Sequence, residues 1–201
     1  MSDILTRVGN AVKSIEHGWT SVQKAQAMAS AIIALRPDIS VEIGVFAGKG
    51  LVAMGLAHRE IGKGMAIGID PYSSAESATG QINPADHDFW SKLDHEQIYR
   101  MAEGYLTQFG IQNTAKIVRS TSNAYTPPDG IGFIRIDGNH GDQVLQDVRH
   151  YCPRCRIGAL LHLDDLNWTG GSVTRASGLL KQSGWIELYR LDDGAVFQRV
   201  S

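Results

Sequence analysis

Short apolar runs that end in glycine or acidic residues alternate along this chain with longer segments whose apolar positions recur at helical spacing. The first clear helical period is Val22 to Leu35, where alanines with Met28, Ile32 and Ile33 build one apolar face. Thr20 and Ser21 offer an N-cap before it, and Pro37 ends it. A buried strand follows from Ser40, and its run closes on Gly44, Gly48 and Gly50 as the chain turns into a helix over Leu51 to Arg59. Gly62-Lys63-Gly64 breaks that helix, and Met65 to Asp70 reads as a second strand. Parallel pairing of the two strands through a right-handed crossover would bring Glu42, the glycines and Asp70 to one crevice.

From Tyr72 to Pro84 the residues are small and polar, and Asp86 to Phe109 is a polar, aromatic, helix-like stretch. Residues 72–110 therefore read as a lid or substrate-side insertion. Trp90, His95, Glu96 and Tyr99 within it could touch a substrate, although aromatic residues at helical spacing more often pack on a sheet. Strands are expected again at Ala115 to Val118, Ile131 to Asp137 and Ile157 to Leu163, with a helix at Asp142 to Tyr151. Trp185 to Leu191 and Ala195 to Val200, joined by Asp192-Asp193-Gly194, read as a hairpin that adds an antiparallel edge. The expected architecture is α/β: a doubly wound, Rossmann-like, mostly parallel sheet with a C-terminal antiparallel hairpin.

At 201 residues with 43% hydrophobic content, the chain suits one well-buried core, so residues 1–201 are expected to form a single domain. A net charge of -2 with scattered Lys and Arg gives no basic stripe, which argues against a nucleic-acid partner. No apolar run reaches the length of a membrane span, and the first twenty residues lack the apolar core of a secretion signal. A cytoplasmic protein acting on a small molecule is expected, with homo-oligomerisation left open. Cys152 and Cys155 form a lone C-x-x-C after a helix, without further zinc ligands and without the strand-to-helix setting of a redox pair. They are expected to be incidental thiols.

The glycines at 44, 48 and 50 remove side chains where a ligand or neighbouring backbone comes close, and Glu42 adds a carboxylate near the same strand end. Asp70 stands about 20 positions beyond Gly50, the distance at which an acid commonly takes the hydroxyls of a ribose. The spacing G-x-x-x-G-x-G matches neither the dinucleotide fingerprint nor a P-loop. A pocket for a nucleoside-bearing cofactor is indicated; the plainer alternative is a tight turn that packs a helix on the sheet. Two later strands also end in acids, Asp137-Gly138-Asn139-His140 and Asp164-Asp165. Such carboxylates repel one another, and a divalent cation would relieve the repulsion, oxygen ligands favouring Mg²⁺ with Ca²⁺ or Mn²⁺ as substitutes. Alternatively, these acids cap the helices that follow.

Taken together, Glu42-Ile43-Gly44-Val45-Phe46-Ala47-Gly48, Ile69-Asp70-Pro71, Ile136-Asp137-Gly138-Asn139-His140 and His162-Leu163-Asp164-Asp165 resemble the class I methyltransferases that use S-adenosylmethionine. The likeness is greatest to the small metal-dependent O-methyltransferases and the related sugar and natural-product group, and it spans Trp19 to the C-terminus. It implies that Glu42, Gly44 and Gly48 line the cofactor pocket, that Asp70 holds the ribose, and that Ser122 lies near the adenine. It also implies metal ligation by Asp137, Asp164 and Asp165. Catechol-type relatives place a lysine where His140 stands, and others place an Asp at Asn139, so His140 is the expected base. The implied activity is metal-assisted O-methyl transfer to a small hydroxylated substrate. A nicotinamide-dependent oxidoreductase and a non-catalytic cofactor-binding module are the alternatives.

Overall fold

The computed structural model describes residues 2–80 and 83–201; Gln81 and Ile82, inside the expected insertion, lie outside the described residues. The chain opens with α1 (Ser2–Ser14), a segment for which no element was expected. Its Ile4, Val8, Ala11, Val12 and Ile15 recur at helical spacing and are all buried. Helix α2 (Val22–Leu35) starts at Ser21, whose Oγ accepts the Lys24 N–H at 3.1 Å. Then come β1 (Ile39–Ile43), α3 (Lys49–Ile61) and β2 (Met65–Asp70), the expected βαβ unit.

The stretch expected as a lid or insertion divides at Asp94. Helices α4 (Ser74–Ala78) and α5 (Pro84–Lys92) sit near the surface, and α5 has no buried residue. Helix α6 (His95–Gln108) instead sends Ile98, Ala102 and Leu106 into the core, as a helix of the doubly wound layer does. Strand β3 (Ala115–Arg119), β4 (Ile131–Ile136), α7 (Gln143–Tyr151) and β5 (Cys155–Leu163) follow, then α8 (Ser172–Gln182) and the hairpin β6 (Trp185–Leu191) with β7 (Gly194–Arg199). No helix among the described residues is long and apolar enough to cross a membrane.

These strands form one sheet in the order β3-β2-β1-β4-β5-β7-β6. The first five are mutually parallel; β7 runs antiparallel to β5, and β6 antiparallel to β7. One apolar core lies under α1, α2, α3 and α6, and a second lies under α7 and α8. Strand order reverses between β1 and β4, so their carboxyl ends open a crevice at a topological switch point. Register aligns Gly68, Glu42, Arg135, His162 and Val196 in one row across five strands.

Two backbone features hold the crevice open. Gly44 has φ +85°, and a Cβ there would stand 2.2 Å from the Asp137 carbonyl oxygen. A Cβ on Gly50 would stand 1.8 Å from Glu42 Oε1. Both glycines are thus required by close approach, and Gly44 by conformation as well. Gly44→Ala adds left-handed strain to a backbone collision and should cost on the order of 2–4 kcal/mol. Urea unfolding measures it; a midpoint unchanged from the parent would show that the turn relaxes freely.

Candidate active site

The turn after β1 is clasped by the acid at the end of β2. Asp70 Oδ2 accepts the N–H groups of Val45 and Phe46, each at 3.0 Å, and Oδ1 accepts that of Tyr72 at 2.8 Å. Phe46 is held at φ +48°, an unusual conformation for an aromatic residue, and its carbonyl accepts the Tyr72 hydroxyl at 2.9 Å. Burial pushes the Asp70 carboxyl above its usual range, opposed by the three amides. A carboxylate has about four acceptor sites, so Asp70 keeps capacity for a further donor from the crevice.

Beneath this turn lies a buried charge cluster. Arg135 is 2% exposed; its Nη1 donates to Glu42 Oε1 at 2.8 Å, and its Nη2 meets Asp137 Oδ2 and Asp164 Oδ2, each at 2.6 Å. Lys24, reaching down from α2, pairs with Asp164 Oδ1 and with Asp193 Oδ1. Burial drives Glu42 and Asp137 up to about 7, against the pull of Arg135. Burial acts on Asp164 in the same direction, but Arg135 and Lys24 outweigh it and hold that carboxyl well below the usual range. Burial pushes His162, 2% exposed, down to about 4, and neither of its ring nitrogens has a hydrogen-bond partner.

The rim above the cluster carries His140 and Asp165. Their Nε2 and Oδ2 are 2.7 Å apart, and the Trp168 ring lies 4.6 Å from the imidazole between centroids. Burial alone would lower the His140 pKa, yet the Asp165 hydrogen bond and the nearby Asp137 charge raise it overall. Asp165 sits in the left-handed region at φ +54°, an arrangement typical of a constrained site. At the other end of the crevice, Ser122 Oγ donates to Asp147 Oδ1 at 2.6 Å, and Gln143 Nε2 donates to the same oxygen at 2.8 Å.

One cavity of about 950 Å³ joins these parts. Gly44, Asp70, Ser122, Asp137, His140, Asp164 and Asp165 all line it, so the carboxyl ends of β1, β2, β4 and β5 do converge. Glu42 and Gly48 are not among its lining residues. Glu42 is fully buried below the floor, and Gly48 shapes the turn behind it at φ +93°. Of the expected metal ligands, Asp164 has both oxygens in ion pairs with protein cations. Arg135 and Lys24 escaped sequence reasoning, although a charge inside Phe133-Ile134-Arg135-Ile136 was a signal for the first. Cys152 and Cys155 are free, buried and away from the cavity lining.

A methyltransferase-domain family model matches residues 41–166. Comparison with curated proteins finds no match. Among solved structures, the chain is similar to the methyltransferase PaMTH1 of Podospora anserina bound to S-adenosylhomocysteine, with TM-score 0.70 and 13% identity over 100% of this chain and 89% of that one. It is similar also to TomG of Streptomyces achromogenes, an O-methyltransferase of tomaymycin synthesis in complex with S-adenosylmethionine, with TM-score 0.64 and 11% identity over 99% of this chain and 90% of that one. A third is the Bacillus cereus O-methyltransferase in complex with S-adenosylhomocysteine, with TM-score 0.60 and 12% identity over 99% and 91% of the two chains. In a Rossmann-like sheet, the crevice at the switch point is where ligands bind, and here an acid closes the second strand beside it. The chain belongs to the methyltransferase-domain family.

Asp147 supplies a pH test of the crevice. Burial pushes its carboxyl up to about 6 from an ordinary 3.8, and its Oδ2 has no hydrogen-bond partner. The folded form binds this proton more tightly than the unfolded chain, so the contribution is complete below pH 4 and is lost as pH rises through 6. Relative to Asp147→Asn, the parent should lose on the order of 1–3 kcal/mol of stability between pH 4 and 6.5 in urea titrations. A difference that stays flat over that range would contradict the assignment.

Proposed function

We propose that this chain transfers a methyl group from S-adenosylmethionine to a hydroxyl oxygen of a small molecule in the cytoplasm. The observation that carries the reading is the His140–Asp165 pair at 2.7 Å on the rim of the cavity that the Asp70-clasped turn also lines. Bound in the crevice, the cofactor supplies a methyl already activated by its sulfonium. Asp70 has the acceptor capacity for a ribose hydroxyl, and Ser122, which lines the same cavity, is the residue proposed to lie beside the adenine. Gly44 lines the cavity and lets the β1 turn lie against the Asp137–Gly138 backbone, while Glu42 and Gly48 lie behind the lining.

The remaining chemistry is positioning and proton removal. Asp165 engages Nε2 of His140, which leaves Nδ1 to accept the proton of a hydroxyl, and Trp168 restricts rotation of the ring. A base of this kind contributes about 10²- to 10⁴-fold, and alignment of oxygen with methyl supplies much of the rest.

A second reading rests on a separate observation. Asp137, His140 and Asp165 each offer a ligand atom, and these atoms lie within 4.8 Å of one another. This set retains two of the expected Mg²⁺ ligands and exchanges Asp164, committed to Lys24 and Arg135, for the imidazole. The donors fit a divalent cation, and the nitrogen extends the choice from Mg²⁺ towards Mn²⁺. Such an ion would acidify a hydroxyl bound to it, with His140 as a ligand rather than the base.

Methyl transfer from labelled cofactor to a panel of hydroxylated acceptors tests the proposal. His140→Ala should lower turnover on the order of 10²-fold or more, and near-normal turnover would remove His140 from the chemistry. EDTA decides between the readings. Activity that persists in chelator supports the His140–Asp165 base, and activity lost in chelator and restored by Mg²⁺ or Mn²⁺ supports the ion.

A further inference from the structure

Two groups in the cavity wall have no part in the proposed chemistry: Lys24 on α2 and Asp193 in the turn between β6 and β7. Neither comes from the strand ends that carry the other site residues. Lys24 is 5% exposed, and its ammonium pairs with Asp164 Oδ1 on one side and Asp193 Oδ1 on the other. A strongly hydrated charge stays in so dry a place only where carboxylates replace its water. The start of α2 and the hairpin turn are joined a second time, by Ser21 Oγ donating to Asp192 Oδ2 at 2.7 Å.

The two acids that Lys24 grips are also what hold the backbone around Asp165. Asp164 Oδ1 accepts the Asp165 N–H at 3.1 Å, while Arg135 takes Oδ2. The Asp193 carbonyl accepts the next amide, that of Leu166, at 2.8 Å. Between these two fixed amides Asp165 keeps φ +54°, a conformation that a residue with a Cβ holds only where its surroundings impose it. That backbone brings its Oδ2 to 2.7 Å from His140 Nε2. Asp164, Asp165 and Asp193 each place an oxygen within 4.8 Å of the other two, so without the ammonium three carboxylates would push apart at this point.

We propose that Lys24 is a positioning residue for the His140–Asp165 pair. By drawing Asp164 and Asp193 together it pins the amides on both sides of Asp165 and fixes the carboxylate that orients the imidazole. The proposal rests on the reading of that pair as the reacting centre, and it holds whether the pair serves as base or as ligands to an ion. Lys24 acts through Asp165 and not on the acceptor, so its loss moves turnover rather than affinity for the cofactor.

Amide hydrogen exchange, read residue by residue by NMR, and labelled methyl transfer test this on two variants. Lys24→Met keeps the length of the side chain and removes its charge; Asp193→Asn changes a side chain that is 47% exposed and leaves the backbone carbonyl in place. In Lys24→Met the amides of Asp165 and Leu166 should exchange at least about tenfold faster, while those of Val45 and Phe46, held by Asp70, exchange as in the parent. Turnover should fall about tenfold or more, as misplacement of a reacting group implies, with the Kd of S-adenosylhomocysteine kept within about twofold. Asp193→Asn should move exchange and turnover in the same direction by about threefold, and it decides the matter alone if Lys24→Met does not fold. Parent-like exchange at Asp165 and Leu166, or faster exchange spread evenly over the sheet with turnover per folded molecule retained, would overturn the proposal and leave Lys24 as an anchor of α2 only. Failure of S-adenosylhomocysteine to bind the parent would instead overturn the methyl-transfer reading, and the exchange measurement would still decide the role of Lys24.

Discussion

A guanidinium buried among carboxylates is the constraint on which the rest of this molecule depends. Arg135 is the centre of a row that register draws across the sheet, and its two terminal nitrogens reach Glu42 on β1, Asp137 at the tip of β4 and Asp164 at the tip of β5. Removing one partner from such a buried set typically costs about 3–5 kcal/mol, because the remaining charges cannot recover their hydration. The cluster thereby ties together the strand ends on both sides of the switch point. Lys24 extends the tie to α2 and, through Asp193, to the terminal hairpin.

That arrangement also sorts the acids by role. Asp164 spends its oxygens on Arg135 and Lys24 and behaves as part of the scaffold. Asp165, its neighbour in sequence, turns to the rim through a left-handed backbone and meets His140. Asp137 lies between them, bonded to Arg135 below and still lining the cavity above. The repulsion among aspartates that suggested a metal is in large part answered by the protein's own cations. Two groups among the described residues bring possible ligand atoms within 4.8 Å of one another, Asp137 with His140 and Asp165, and Asp164 with Asp165 and Asp193, and in the second both Asp164 and Asp193 already pair with Lys24.

Local signals were legible in the sequence, and long-range ones were not. The hydrophobic periods located β1, α3, β2 and the terminal hairpin because each is set by residues adjacent in the chain. The spacing of Asp70 from the glycines anticipated their meeting, since one crossover fixes both. The doubled acid Asp164-Asp165 gave no sign of its division of labour, because Lys24 lies 140 positions away and is placed only by the folded α2. Arg135 was visible as a charge inside an apolar strand, but two of its three partners, Glu42 and Asp164, come from other strands. The period in α1 went unread, and α6 was grouped with the surface helices before it because its outer face carries Glu96, Arg100 and Glu103, which gave the stretch a polar cast.

The central claim is that this crevice takes an adenosine bearing sulfur rather than a nicotinamide dinucleotide. Titration calorimetry of the untreated protein with S-adenosylhomocysteine, and separately with NAD⁺ and NADH, tests it most directly. The structure predicts saturable binding of S-adenosylhomocysteine at one site per chain and no heat from either dinucleotide; saturable binding of NAD⁺ or NADH with none of S-adenosylhomocysteine would contradict it.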